Sequence, residues 1–414
     1  MATTTLARKP SVWTPGFLAW LGLLGVLLVI GVVSALSVFA RGLVLTNMTD
    51  VVPWGLWITI DLSAIALGAG AFTLSAVVYL AGLKKYHSIV RLAVFVGFIG
   101  YTSALLTLIM DIGRPDRFWH PWAYWNVHSV LWEITWCITI YLTIMVLEFL
   151  PVVTELKFFD RWPWVRKAAH TLHKAAPVLA LLGVMVSLLH QSSLGATYGI
   201  VKSRPIWFKP SMPIMFILSA VAVGPALTMA VAYVTEWITG KQRVDHKILL
   251  TIARFSGFAL LAYAYIKVWD LAAVTYYGKT PAVSEALNML YRQTAYNFGF
   301  WFGEIIVGLV IPIIFFLVPR FNRNPKYLVL GALCAVIGVI FNRWDITVTG
   351  LYVPLSYSPG TQYQLPAGTY FPGLVEWGVA IGILGYALIM LTLGTRFLPL
   401  FGDKEPRSQT GQGD

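Results

Sequence analysis

The sequence predicts an all-α integral membrane protein of about ten transmembrane helices, arranged as two four-helix bundles plus flanking helices. Three observations carry this reading. Of the 414 residues 58% are apolar and only 12% charged, about half of the roughly 25% charge of a soluble domain. The apolar residues fall in unbroken runs of at least about 18, long enough to cross a hydrocarbon core about 30 Å thick. Such runs close their own backbone hydrogen bonds as helices, which a lone strand cannot do in lipid. The same numbers exclude a soluble enzyme, a disordered chain and a nucleic-acid binder. The formal charge of +12 lies mostly in short loops between apolar runs, the topology signal of membrane proteins.

In chain order the predicted spans are Phe17–Ala40, Pro53–Leu83, Ile89–Met110, His128–Leu150, Ala175–Gly195, Met212–Trp237, Lys247–Tyr276, Asn297–Val318, Lys326–Arg343 and Pro372–Phe397. Residues 1–16 and 398–414 read as tails around a membrane domain of residues 17–397. The first run is too long for the core of a cleavable signal peptide, so none is expected. Spans two to five and six to nine have similar lengths, which permits the two bundles. Ala64 with Gly68, and Ala66 with Gly70, put small residues one turn apart, where a second helix can approach closely. Pro177, Pro225 and Pro312 fall inside spans and predict kinks. Thr197–Ser211 is polar and aromatic and reads as a loop. With the N-terminus in the cytoplasm, 19 lysines and arginines fall inside and 9 outside. That bias predicts that both termini are cytoplasmic. The outer loops Asp111–Val127 and Asp345–Phe371 are long and aromatic, with five tryptophans between Trp119 and Trp136. They read either as an interfacial aromatic belt or as a rigid surface on which another protein docks.

Ionisable residues at membrane depth are costly and mark candidate functional positions. Here they are Asp61, Glu133, Glu148, His190, Glu236, Arg254, Lys267, Asp270, Glu304 and Glu376, with Arg343 and Asp345 closing the ninth span. Asp61 lies about 12 Å into its span, at 1.5 Å per residue. Asp61, Glu133, His190, Asp270, Glu304 and Glu376 gather in the outer half; Glu148, Glu236 and Arg254 lie toward the inner face. Plain readings stand beside functional ones. Lys267 and Asp270, three apart, can neutralise each other, and Arg343 and Asp345 can be interfacial, their polar ends reaching water. Glu148, Glu236 and Glu376 can sit at span ends. Asp61 has no neighbouring cation in sequence, and His190 stands beside Gln191, Ser192 and Ser193.

A carboxylate, a glutamate and a histidine in an outer membrane pocket suit a quinone, whose ring is apolar and whose oxygens exchange protons as electrons move. Trp57 is a candidate wall for the ring. Of the seven histidines, only His190 is placed at depth, with His128 at a boundary, so a bis-histidine haem is not expected. Cys137 and Cys334 have no CxxC partner, so no iron–sulfur cluster, zinc site or disulfide is expected either.

Several strings carry a family resemblance: PWGLWITIDL at Pro53–Leu62, DIGR at Asp111–Arg114, WNVHSVLWE at Trp125–Glu133, MVLEF at Met145–Phe149 and LHQSSLG at Leu189–Gly195. The chain resembles the NrfD/polysulfide-reductase-type membrane subunits, most closely those of periplasmic-facing nickel–iron hydrogenases and the menaquinone reductase complex. The likeness spans roughly residues 50–400 and departs at Asp270, where the family often has Glu. It implies a cofactor-free, quinone-binding subunit, taking menaquinone or ubiquinone, in a bacterial inner membrane. It also implies a periplasmic ferredoxin-like iron–sulfur partner, with a molybdopterin enzyme, hydrogenase or multihaem cytochrome beyond it. On this reading Asp61, Glu133, His190, His128 and Trp57 bind quinone. Glu304, Asp270, Arg343, Glu148, Glu236 and Arg254 form a proton path. Two rivals remain open: a proton- or ion-coupled secondary transporter using Asp61, Glu133 and Glu304, and a purely structural membrane anchor.

Overall fold

Ten helices long and apolar enough to cross a membrane are found among the described residues of the computed structural model, which are 13–277, 281–356, 364–365 and 368–401. They are α1 Pro15–Arg41, α2 Leu56–Leu80, α3 Lys84–Asp111, α4 Val130–Thr154, α6 Ala176–Gly199, α7 Met212–Thr239, α8 His246–Tyr276, α10 Phe298–Leu317, α11 Pro325–Tyr352 and α12 Leu374–Phe397. Two shorter helices lie between spans: α5, Pro163–Lys174, and α9, Pro281–Arg292. A two-residue antiparallel ladder pairs Leu355 with Leu365 and Ser356 with Gln364. The expected tails at residues 1–12 and 402–414, and the basic residues they carry, lie outside the described residues, as does Lys279.

Lipid is the natural solvent for this surface. The α1 window has a mean hydropathy of 2.7, yet only 17% of it is buried, and Val26, Val29, Val33 and Leu36 all point outward. In water such a helix would aggregate; in a bilayer it is at home. Local sequence sets the ends. Thr14 caps α1 through its hydroxyl, with Pro15 following, and Ser129 caps α4 in the same way, satisfying amide groups that the first turn leaves open. Gly240 closes α7 at φ 65°, a left-handed conformation in which a Cβ is disfavoured.

Successive spans run antiparallel. One end of the molecule, here the terminal face, carries the two ends of the described chain. The opposite end, the loop face, carries the long aromatic connections. The first bundle is α2, α3, α4 and α6, and the second is α7, α8, α10 and α11. They meet where α2 packs on α7 and α11. The helices α1 and α12 pack on each other and flank the first bundle at α3. Without a hydrophobic force between helices in lipid, close contact does the work. The backbones of Gly70 and Gly224 touch where the two bundles meet, and those of Gly308 and Gly338 touch between α10 and α11. This is the use the small residues of the second span were expected to have.

Three features differ from the sequence expectation. The ninth span does not end at Arg343 but continues as helix to Tyr352, through a wide π-type turn at Asp345–Thr349. Arg343 and Asp345 are therefore buried, at 1% and 4% exposure, and do not reach interfacial water. The predicted loop Thr197–Ser211 begins three residues late, because α6 runs to Gly199. Pro177 stands in the first turn of α6, where a missing amide costs nothing. Pro151, by contrast, lies inside α4.

Candidate functional site

The first bundle encloses a cavity of about 590 Å³ under the loop face, within the roughly 300–1,000 Å³ of small-molecule sites. Its walls are mainly aliphatic: Ile58 and Leu62 from α2, Leu105 and Ile109 from α3, Ile134, Ile138 and Leu142 from α4, and Leu194 from α6. The connection after α3 covers it with Ile112, Arg117, Phe118, Pro121 and Trp122. Trp122 donates through Nε1 to Thr139 at 3.2 Å, which fastens the cover to α4. Thr143, midway along α4, lines the cavity and is also exposed, as is Leu131 in the first turn. The chamber therefore opens on the side where lipid lies.

The polar lining comprises Arg117, four threonines, two carboxyls and a tyrosine. Asp61 lines it from the second turn of α2 and is 6% exposed. Asp111 lines it from the last turn of α3. Each has one carboxylate oxygen, Oδ1, that is buried without a hydrogen-bond partner among the described residues. Tyr198 completes the set: its hydroxyl meets Thr347 Oγ1 at 3.1 Å, while its ring packs edge-on against Trp207 at 5.0 Å. Buried polar atoms in native proteins are nearly always paired, so two carboxyls that line an apolar chamber, each with an unpaired oxygen, call for a ligand or water that carries hydrogen-bonding groups.

Behind this wall, toward the membrane centre, lies His190. It is fully buried on α6, and neither ring nitrogen has a partner among the described residues. Its ring is 5.7 Å from that of Tyr101, whose hydroxyl lies 3.5 Å from Ser187. The adjacent Gln191 donates to the Ile65 carbonyl of α2 at 3.2 Å, which fixes α6 one turn below Asp61. Other expected quinone ligands are placed elsewhere. Glu133 is half-buried and accepts the Ser193 hydroxyl at 2.6 Å, bracing α4 to α6. His128 is exposed in the loop before α4. Trp57 is buried on the far side of α2, donating to the Glu376 carbonyl at 3.1 Å and packing with Val38 and Val379. Its neighbour Trp54 lines the cavity instead.

A second polar group occupies the other bundle. Glu304, in a stretch of wide π-type turns at Phe298–Val310, accepts from Lys267, from the Tyr263 hydroxyl at 3.1 Å and from Asn342 Nδ2 at 2.9 Å. Asp270 pairs instead with Lys209 at 2.8 Å and accepts the Ser211 hydroxyl at 2.5 Å. The expected Lys267–Asp270 neutralisation is thus replaced by two separate pairs, Lys267 with Glu304 of α10 and Asp270 with Lys209 in the connection before α7. Arg343 bonds Asn342 at 2.7 Å and Ser219 at 2.8 Å, with its guanidinium 3.6 Å over the Phe216 ring. Voids of about 30 and 20 Å³ flank Glu304 toward the loop face and the bundle centre, each large enough for a water.

Toward the terminal face the expected path residues separate. Glu148 borders a void of about 50 Å³ with Ser75, Tyr79 and Arg91. Glu236 is buried, but its oxygens are taken by the Arg243 and Val244 amides, at 2.9 and 3.1 Å, and by His246 at 3.0 Å. It closes the α7–α8 turn. Arg254 is exposed on α8. Glu376, near the start of α12, accepts from Tyr370 and from the amides of Asn47 and Gly373 at 2.9 and 2.8 Å, so it is structural. Tyr370, in the connection before α12, has its hydroxyl pushed up by burial and by that carboxylate.

Comparison with known proteins fits this architecture. The family model described as "Polysulphide reductase, NrfD" matches residues 44–354, three quarters of the chain. The chain belongs to the NrfD family. It is 32% identical to the menaquinone reductase integral membrane subunit of Nitratidesulfovibrio vulgaris, over 93% of this chain and 92% of that one. It is 26% identical to the probable Ni/Fe-hydrogenase 2 b-type cytochrome subunit of Escherichia coli, over 88% and 87%. It is 24% identical to the Hdr-like menaquinol oxidoreductase integral membrane subunit of Archaeoglobus fulgidus, over 91% and 93%. The family match covers every helix that lines the large cavity and most of the Glu304 group. This NrfD chain is thus a multi-pass membrane protein of a family associated with quinones and respiratory chains. Among its described residues no group of three or more His, Cys, Asp or Glu side chains could hold a metal ion, and its two cysteines are free.

Sequence reasoning missed Asp111, Trp54 and Tyr198 as cavity residues. Asp111 was visible as the acidic end of the DIGR string. Tyr198 gave no signal, because it lay in a segment read as loop.

Proposed function

We propose that this chain binds quinone in the 590 Å³ cavity and exchanges electrons between it and a ferredoxin-like iron–sulfur subunit docked on the loop face. Asp61, a buried carboxyl that lines an apolar, laterally open chamber and has one oxygen unpaired among the described residues, carries this reading. The ring enters from lipid and packs among Ile58, Leu105, Ile138 and Trp54. Reduction adds two electrons and two protons to the quinone and gives the quinol; oxidation runs in reverse. Asp61 holds a proton at Oδ1 and gives it to, or takes it from, one quinone oxygen. Asp111 and Tyr198 border the same space. His190, Ser187 and Tyr101 resupply Asp61 from the bundle centre.

The Trp-rich connection of residues 112–129 covers the cavity and presents Trp119, Tyr124 and Trp125 outward. It supports a docking surface directly over the quinone. The family supports a bacterial inner membrane, and the charge bias supports a periplasmic loop face. Relatives named as subunits of a hydrogenase and of menaquinone and menaquinol oxidoreductases support a catalytic subunit in the same complex; we place it beyond the iron–sulfur protein, as a molybdopterin enzyme, hydrogenase or multihaem cytochrome. The voids beside Glu304 and Glu148 support proton exchange with each face, which Glu148→Gln tests through proton uptake in vesicles.

The deciding experiment is Asp61→Asn in the assembled complex. A positioned general acid–base contributes about 10²–10⁴-fold, so quinone turnover falls by at least about 10²-fold while the complex still assembles. Turnover within about twofold of wild type would remove Asp61 from the chemistry. Loss of assembly together with turnover would favour the anchor reading. Proton-coupled uptake of a solute by the chain alone would favour a transporter.

A further inference from the structure

We propose that the terminal face of the first bundle carries a binding site for the phosphate headgroup of an anionic phospholipid. The site is an open cavity of about 520 Å³, bordered by Arg91 of α3, Thr154 at the end of α4, Glu155, and Arg166 and His170 of α5. It is separate from the quinone cavity, which lies under the opposite face, and does not depend on the quinone reading.

Its construction starts with α5. Between Lys157 and Lys174 the chain has five lysines and arginines and one carboxylate, Asp160. In α5 the side chains of Val165, Ala169 and Leu172 turn inward, while Arg166, Lys167, His170 and Lys174 remain exposed. This spacing of i, i+4 and i+7 seats an amphipathic helix on α4 and leaves its basic side free. The approach to α5 exposes Phe158, Trp162 and Trp164 at 60%, 40% and 71%. Basic residues with exposed tryptophans, on a short helix between two spans, mark an element lying at headgroup depth.

The cavity wall is preset for an anion. Arg91 is held by Glu155 at 2.9 Å and by the Pro399 carbonyl at 3.3 Å. The pair neutralises the cavity's one carboxylate and fixes the guanidinium in place. Arg166 meets Asp160 at the surface through one end of its guanidinium, and a guanidinium has five N–H donors. His170 lies one turn further on, facing the same space.

Lipid rather than a dissolved anion follows from what surrounds the cavity. Val146 on α4 and Val178, Leu181 and Leu182 on α6 are exposed apolar side chains at the same end of the bundle. A bound phosphate here has lipid-facing helix surface beside it along which acyl chains can lie. Basic pockets between spans on the positively biased side are suited to such headgroups.

The test uses the full chain, purified and exchanged into lipid-free detergent. Phosphatidylglycerol, phosphatidylcholine and inorganic phosphate are titrated separately and followed by native mass spectrometry. Each lysine or arginine near an anionic headgroup strengthens binding about fivefold. Arg166→Gln/His170→Gln should therefore bind phosphatidylglycerol at least about fivefold more weakly, with thermal unfolding in lipid-free detergent unchanged. Lys202→Gln, on the loop face, should match wild type. Phosphatidylcholine should bind weakly to all three proteins. Equal binding of the two lipids to wild type, or undiminished phosphatidylglycerol binding by the double variant, overturns the proposal. Inorganic phosphate binding as tightly as phosphatidylglycerol and displacing it overturns the assignment to lipid. If the double variant unfolds early, Arg166→Gln alone must show a selective loss of phosphatidylglycerol binding or the proposal fails.

Discussion

Replacing Lys267 by Met removes the only cation bonded to Glu304 among the described residues, and the structure sets the size of the effect. Glu304 is 4% exposed and keeps Tyr263 and Asn342 as neutral donors. Removing one partner of a buried ion pair costs about 3–5 kcal/mol. With two donors retained, Lys267→Met should sit near the lower end, about 3 kcal/mol. The double variant Lys267→Met/Glu304→Gln buries no charge and should lie within about 1 kcal/mol of wild type, giving a coupling of about 2 kcal/mol or more. Asp270 provides the control. It bonds Lys209 and Ser211, so Lys267→Met/Asp270→Asn should be additive within about 0.5 kcal/mol. The assay is equilibrium unfolding in mixed sodium dodecyl sulfate–dodecyl maltoside micelles, read by far-UV circular dichroism. Lys267 coupling more strongly to Asp270 than to Glu304, or Lys267→Met leaving stability unchanged, would refute the reasoning.

Other outcomes follow from single contacts. Gly224→Ala drives a methyl into the Gly70 backbone and should cost about 1–3 kcal/mol in the same assay. Gly22→Ala meets nothing within 4 Å and should be neutral or stabilising by up to about 1 kcal/mol. Glu376→Ala strands the donors of Tyr370, Asn47 and Gly373. It should destabilise by about 2–4 kcal/mol and alter the emission of Trp57, with Glu376→Gln about half as severe. On the loop face, Arg114 holds the exposed Asp116 carboxyl below its ordinary value of 3.8. A depressed carboxylate contributes above its unfolded value and loses the contribution as pH falls through its folded one. The pair should therefore be constant from about pH 5 to 8 and fail only in acid. Carbon-13 titration of Asp116 in Arg114→Gln should move its midpoint back toward 3.8; an unmoved midpoint would exclude the pair as cause.

The sequence by itself determined the class of fold, the number of spans and most of their limits. Apolar run length answers to one dimension, the thickness of the bilayer, and that information is local. It also picked out Asp61 and His190, because an unpaired ionisable group in an apolar run is conspicuous wherever the helix ends up. Tertiary structure decided everything that depends on which helix faces which. Lys267 chose Glu304, on another helix, over Asp270 three residues away, since side chains on neighbouring helices can meet head-on inside a bundle. Trp54 took the place expected of Trp57 because it stands in the segment before α2 begins, beside the cavity, while Trp57 lies on the α2 face packed against α1 and α12. Arg343 and Asp345 moved from an expected membrane boundary into the core because the ninth span runs on through a wide turn that hydropathy does not mark. Glu236 and Glu376 became clasps for connecting segments, whose amide positions no local pattern encodes. The cavity itself is a space between four helices and their covering loop, and a space has no sequence.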